Sequence, residues 1–269
     1  MHEQFHKRRV TSGAKINSGC RMKTFHFALA LVAVIFTAMR SVGDDFNSGG
    51  VKIHYAVKGY GEPVILIHGL YSNARLNWEL PGTTALLAKH FEVITFDCRG
   101  HGRSGKPTAE DAYGTHMVED VIRLLDHLNI RKARVAGYSM GGMITMKLAV
   151  THPDRVNAAV ICGMGWLKAR TQLNSVWDKL ERPLFTVPPA CAKSFPQLAV
   201  TEAEIKSVKI PVTILIGEED PCRKWYVEPL HAVRPEWPVH VIPGADHLNC
   251  VSKPEFKTQL AAALGKSQT

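Results

Sequence analysis

Beyond its N-terminal leader this 269-residue chain has no pair of histidines at zinc-ligand spacing, and no glycine-rich dinucleotide fingerprint follows a strand-forming run. The chain is therefore expected to use no metal, nucleotide or flavin cofactor. It has no internal repeat and no low-complexity tract, which sets repeat architectures aside. Of its six cysteines, Cys20 lies in an N-terminal leader, which leaves Cys98, Cys162, Cys191, Cys222 and Cys250. An odd number cannot pair completely. They are read as small buried hydrophobes, although Cys222 and Cys250 fall on loops expected to be neighbours. The remainder of the chain also lacks a dense Lys/Arg stripe. The formal charge is +9, but residues 1–43 carry seven Lys/Arg against one Glu, so +6 belongs to them and +3 to the rest. That balance speaks against a nucleic-acid partner.

What is present at the N-terminus reads as an export leader. Met22-Lys23 precedes the apolar run Phe25–Met39, which is short for a membrane span and right for a signal h-region. Ser41 and Gly43 supply small residues for a cut after Gly43, and Met22 is an alternative start. The domain boundaries expected are a leader over 1–43 and a folded domain over 44–269, in an exported protein. The competing reading is an uncleaved anchor, the one circumstance in which a membrane is a partner.

The whole chain is 45% hydrophobic and 21% charged, which suits one globular domain. Val51–Val57 alternates like a half-exposed strand. Val64–Ile67, Val93–Phe96, Ala133–Ala136, Ala158–Ile161, Val212–Ile216 and Val239–Ile242 are short apolar runs of the kind found in buried parallel strands. Between them, Met117, Val121, Leu124, Leu125 and Leu128 share one helical face, as do Phe256, Leu260 and Leu264. This alternation predicts an α/β fold, a mostly parallel sheet with helices on both faces and its ligand site at the carboxyl ends of the strands. Residues 163–210 break the alternation with two tryptophans and several prolines, and are read as a small cap inserted in the domain.

The most informative residues are Gly137-Tyr138-Ser139-Met140-Gly141, between a strand-forming run and the helical run Met143–Val150. A serine there sits on a sharp strand-to-helix turn, where larger flanking residues would collide. Its Oγ is pushed out beside the free N–H groups of a helix N-terminus. A serine hydroxyl needs a base to take its proton, and the base needs a carboxylate to fix its tautomer. His247, in Pro243-Gly244-Ala245-Asp246-His247 after the last strand, fits the base. Asp220, in Gly217-Glu218-Glu219-Asp220-Pro221 after Val212–Ile216, fits the acid, with Glu218 and Glu219 as rivals. Asp246 is expected to cap a turn or the next helix. The backbone N–H of Met140 supplies one oxyanion donor and that of Leu70, in His68-Gly69-Leu70-Tyr71, the second. His68 is expected to order that loop. Tyr71, Trp78, Trp166 and Leu248 are candidates to line the substrate pocket, with Met140 beside them.

These residues resemble the α/β-hydrolase superfamily over about residues 51–265, and the chain order Ser139, Asp220, His247 matches that family's nucleophile, acid and base. Asp97–Ser104 looks like the family's turn after the strand before the nucleophile strand, where Arg and Gly build structure. The resemblance implies the oxyanion roles of Leu70 and Met140 and the cap at 163–210. A serine in place of aspartate disfavours an alkyl-enzyme route. The single Gly69 and the modest cap favour a small-ester hydrolase over a triglyceride lipase. The implied activity is hydrolysis of small carboxylic esters or lactones. Perhydrolysis of the cofactor-free haloperoxidase type and carbon–carbon bond hydrolysis are alternatives with the same triad. A ligand-binding module without catalysis is the remote one.

The leader reading has a direct outcome. Expression of the whole chain in a bacterial host should give a processed product beginning at Asp44 outside the cytoplasm. Intact mass and cell fractionation check this; a full-length product in the membrane fraction identifies an anchor instead.

Overall fold

The computed structural model describes residues 42–168 and 186–265. The expected leader, apart from its last two residues, and residues 169–185 of the expected cap lie outside the described residues. Eight strands form one sheet: β1 (Val42–Ser48), β2 (Val51–Gly59), β3 (Glu62–Ile67), β4 (Phe91–Phe96), β5 (Ala133–Tyr138), β6 (Val156–Cys162), β7 (Val212–Gly217) and β8 (Val239–Ile242). Their order is β1-β2-β4-β3-β5-β6-β7-β8. β1 and β2 run antiparallel at one edge, β2 also meets β4 antiparallel, and the remaining pairs are parallel. Each expected apolar run is a strand, extended by one or more residues in most cases.

β1 is the strand the sequence reading did not assign, and its first two residues fall within the stretch given to the leader. Val42–Ser48 holds few apolar residues, so no run marks it. Its register comes from a two-residue turn: Ser48 pairs with Val51 across Gly49 and Gly50, both at positive φ (60° and 87°). A hairpin turn with two positive φ values suits glycine, which has no Cβ penalty there. Phe46 anchors the strand by stacking on His127 at 5.1 Å.

The helices are α1 (Thr83–Leu87), α2 (Thr115–His127), α3 (Met140–Thr151), α4 (Pro189–Lys193), α5 (Glu202–Ser207), α6 (Glu228–Val233) and α7 (Pro254–Leu264). Alternate strand residues feed two cores. Ile65, Ile67, Val135, Ile161 and Ile214 face α2 and α3, whereas Val64, Leu66, Ala136, Val160 and Leu215 face α1 and α7. Strands buried on both faces are why these runs are apolar without alternation. In the 163–210 interval, α4 and α5 bring Cys191 and Ile205 into the α2/α3 core. The two ends of that interval lie side by side: Val200 N–H donates to the Leu167 carbonyl at 3.1 Å, and Trp166 Nε1–H to the Val200 carbonyl at 2.8 Å.

The chain leaves β3 for β4 on one side and returns as β5 on the other. The carboxyl ends of β3 and β5 therefore flank the point where strand order reverses, which opens a crevice in a doubly wound sheet. Behind it, the Asp97–Ser104 turn is fixed from within. Asp97 accepts the N–H groups of Ala74 (2.9 Å) and Arg103 (2.8 Å). Arg99 donates to both carboxylate oxygens of Asp120 at 2.7 and 2.6 Å and to the Ala112 carbonyl at 2.7 Å.

Arg99 and Asp120 are almost wholly buried, so removing one partner leaves an uncompensated charge. Asp120→Ala should lower the unfolding free energy by about 3–5 kcal/mol. Asp126→Ala breaks an exposed pair with Arg155 and should cost under about 1 kcal/mol. Urea unfolding midpoints distinguish the two.

Candidate active site

β5 ends in Tyr138 and α3 begins at Met140, leaving Ser139 to make the whole turn. Its backbone sits at φ 54° and ψ −112°, a region an L-residue enters at a cost of about 1–3 kcal/mol. Two glycines permit it. A Cβ on Gly137 would overlap the Gly141 carbonyl, and one on Gly141 would overlap the Ile67 carbonyl. The Ser139 N–H donates to the Cys162 carbonyl at 2.8 Å, and its carbonyl accepts from Met143 N–H at 3.1 Å. The strained residue is thus clamped on both sides, and the end of β3 is in backbone contact with the start of α3.

The carboxyl ends of β7 and β8 deliver Asp220 and His247 to the same rim. Ser139 Oγ lies 2.9 Å from His247 Nε2, and His247 Nδ1 lies 2.7 Å from Asp220 Oδ2. A carboxylate only accepts, so Nδ1 carries the proton and Nε2 faces the serine as an acceptor. Asp220 is held on its other oxygen by the Cys222 N–H at 2.9 Å, and its side chain is fully buried. Glu218 and Glu219 are exposed. Glu218 instead accepts the Gly244 N–H at 2.9 Å, and the Glu219 N–H donates to the Ala245 carbonyl at 2.9 Å, so the acid and base loops brace each other. Asp246 accepts the N–H groups of Asn249 (2.7 Å) and Leu248 (2.8 Å), which holds its carboxyl below its usual range and closes the turn after His247.

The loop after β3 faces this group. Gly69 runs so close that a Cβ on it would stand 3.4 Å from the Ser139 Cβ. Its N–H is taken by Asn77 Oδ1 at 3.0 Å. The Leu70 N–H has no acceptor among the described residues, and the Met140 N–H opens α3, where no helical carbonyl precedes it. These are the two donors the sequence assigns to an oxyanion. His68 underlies the loop: its Nδ1–H donates to the Gly69 carbonyl at 2.8 Å, and its Nε2 accepts the Cys98 N–H at 2.9 Å. His101 packs edge-on against it at 5.0 Å, and its Nε2 is buried with no partner among the described residues.

The four expected pocket residues divide. Trp78 is a correction: it is fully buried and stacks on Phe256 at 6.4 Å, inside the α1/α7 core. Trp166 is a second correction, since its ring is buried in the other core and its Nε1 is spent on the Val200 carbonyl. An aromatic residue near a site in sequence carries no label for the face it packs on. Tyr71, half-buried at φ 57°, and Leu248, 74% exposed, remain beside Leu70 and His247. The five cysteines of the folded part are all free and buried. Cys222 Sγ, an Asp220 oxygen and a His247 nitrogen lie within 4.8 Å of one another. A soft cation there would have to displace the Nδ1 proton and ionise a thiol that burial pushes up, so the donors fit a proton relay better than a metal site.

Comparison with known proteins agrees with this architecture. Residues 62–201 match the family model described as alpha/beta hydrolase fold. A protein of Azorhizobium caulinodans provisionally named a carbamate hydrolase is 34% identical over 143 residues, covering 53% of this chain and 52% of that one. The 2-hydroxy-6-oxo-6-(2'-aminophenyl)hexa-2,4-dienoic acid hydrolase of Metapseudomonas resinovorans is 34% identical over 123 residues, covering 45% of this chain and 42% of that one. The chain thus aligns with about half the length of the curated relatives it matches. Among solved structures, the enol-lactonase of Burkholderia xenovorans superposes with a TM-score of 0.67 at 23% identity, over 83% of this chain and 100% of that one.

The buried histidines beneath the Leu70 loop make stability pH-dependent. Burial, with His68 alongside, lowers the His101 pKa to about 3, and burial lowers that of His68 as well. The unfolded chain takes up these protons near pH 6.5 and the folded one does not. Stability is therefore lost as pH falls below 6.5, by about 1.4 kcal/mol per unit for His101 alone, until the folded pKa is reached. His101→Gln should flatten the dependence by about 2 kcal/mol at pH 5, read by urea unfolding at pH 7 and pH 5.

Proposed function

The chain belongs to the α/β-hydrolase fold family, and on that premise we propose that it is a serine hydrolase cleaving small carboxylic esters or lactones through an acyl-enzyme on Ser139. The observation that carries the reading is the continuous chain Ser139 Oγ–His247 Nε2 at 2.9 Å and His247 Nδ1–Asp220 Oδ2 at 2.7 Å, beside two backbone donors. Ser139 Oγ attacks the substrate carbonyl carbon as its proton passes to His247 Nε2. The carbonyl π pair becomes an oxyanion held by the N–H groups of Leu70 and Met140. Collapse expels the alkoxide, which takes the Nε2 proton and leaves as alcohol. Water then gives a proton to Nε2 and attacks the acyl carbon, and Ser139 leaves with that proton as the carboxylic acid departs. Asp220 stays ionised, keeps the Nδ1 tautomer and stabilises the imidazolium. A lactone follows the same steps with its alcohol still tethered.

Tyr71, half-buried, and Leu248, exposed, adjoin Leu70 and His247 in the chain and remain the lining candidates, and the 163–210 interval is read as a small cap. A second reading has one observation behind it: the relative in Metapseudomonas resinovorans is named for a keto-dienoic acid and not an ester. The same nucleophile, base and donors would serve a ketone, so such a substrate belongs in the screen, as does hydrogen peroxide in place of water.

Purified protein should hydrolyse 4-nitrophenyl acetate and label with a fluorophosphonate. Ser139→Ala should abolish both, and Asp220→Asn, which leaves the imidazole without its tautomer-fixing acceptor, should lower kcat by about 10³–10⁴-fold. Turnover retained by Ser139→Ala refutes the acyl-enzyme; failure of the wild type to label points to a binding module.

A further inference from the structure

Ser139 and His247 must meet across a long gap. Their strands, β5 and β8, are separated in the sheet by β6 and β7, so the base loop starts about 14 Å from the nucleophile strand. The Asp220 contact ties that loop to β7, not to β5. The link to β5 is made by Tyr138, the residue before the nucleophile. Its hydroxyl donates to the His247 main-chain carbonyl at 2.6 Å. Its ring lies 5.5 Å from the His247 imidazole and edge-on to Phe256 at 6.0 Å. Successive strand residues face opposite sides of a sheet, so while Ser139 turns out at the rim, Tyr138 runs beneath the base loop.

The route across β6 is kept open by Gly163, which follows that strand at φ 59°. A Cβ there would stand 2.8 Å from the Tyr138 ring. Burial holds the Tyr138 phenol protonated well above its ordinary range, so it stays a donor at any working pH.

We propose that Tyr138 is a positioning residue for the reaction: through its bond to the His247 carbonyl it sets the distance between Nε2 and the Ser139 hydroxyl. It touches neither substrate nor the reacting atoms. The inference rests on the serine-hydrolase reading above. Its consequence is a loss in the chemical step without a loss in substrate binding, because the bond lies behind the imidazole and away from the approach to Ser139. A base displaced by a fraction of an ångström to an ångström lowers rates by about tenfold to a hundredfold.

The test is steady-state kinetics on Tyr138→Phe in the full chain, with rates divided by the number of sites a fluorophosphonate labels at its end point, so that misfolded protein does not count. The expected result is kcat down about tenfold or more with KM changed less than about twofold, and the rate of fluorophosphonate labelling slowed in parallel. Gly163→Ala should reproduce the loss by crowding the ring, and should add little further loss in the Tyr138→Phe background. Wild-type kcat per labelled site in Tyr138→Phe, or a kcat loss matched by a rise in KM, overturns the role. Ser139→Ala run beside it keeps the cases apart: an active Ser139→Ala enzyme refutes the hydrolase reading itself.

Discussion

A single residue held off its preferred backbone organises the molecule. Ser139 at φ 54° has to be forced into the turn, and the force comes from close packing of main chain on main chain. α3 can begin directly after β5 only because Gly137 and Gly141 let strand, helix and the end of β3 approach without side chains between them. The same approach brings the Gly69 backbone, which precedes Leu70, to within 3.4 Å of Ser139 Cβ as measured from the Cβ it lacks. The candidate nucleophile and the two candidate oxyanion donors thus depend on one packing arrangement. Any side chain at 137 or 141 would disturb both, while the sheet beneath has enough apolar burial on two faces to carry the strain.

The second constraint is distance. Strand order places the three candidate catalytic side chains in the loops after β5, β7 and β8, so hydrogen bonds between loops must do what sheet pairing does elsewhere. Asp220 and His247 are linked side chain to side chain, the Glu218 carboxylate holds Gly244, and Glu219 and Ala245 join main chain to main chain. Each bond is modest alone, about 1 kcal/mol net. Together they brace the loop that carries the imidazole, as a preorganised site would require.

Much of this was legible in the residues. The turn at 137–141 is visible because its glycines answer a steric demand, and Asp220 and His247 stand out because each follows an apolar run whose end defines the rim. The sequence favours Asp220 over its rivals Glu218 and Glu219, and Asp220 is the one that is buried against His247 while the two glutamates are exposed. Two things were not legible. Trp78 and Trp166 looked like lining because they are large and near the site in sequence. Which face of the sheet each meets depends on loop paths that carry no periodicity. β1 goes unassigned, its first two residues falling in the leader, because Asp44, Asp45 and Asn47 break any apolar run, yet Gly49-Gly50 before an alternating strand is a hairpin signal in plain view. The tie from Tyr138 to the His247 carbonyl needed coordinates altogether, since it links residues 109 positions apart through a backbone atom.

The unpaired cysteines bear on the same site. Cys222 lies against Asp220 and Cys250 against Tyr138, with burial pushing the Cys250 thiol to about 12. Both stay neutral, so neither adds charge beside the candidate acid. Both fill buried space beside the site with a polarisable group. A carboxylate facing an imidazole in such surroundings interacts more strongly than in water, because the local dielectric is lower. Cys222 and Cys250 are both free, and a disulfide would impose its own geometry on any loops it joined.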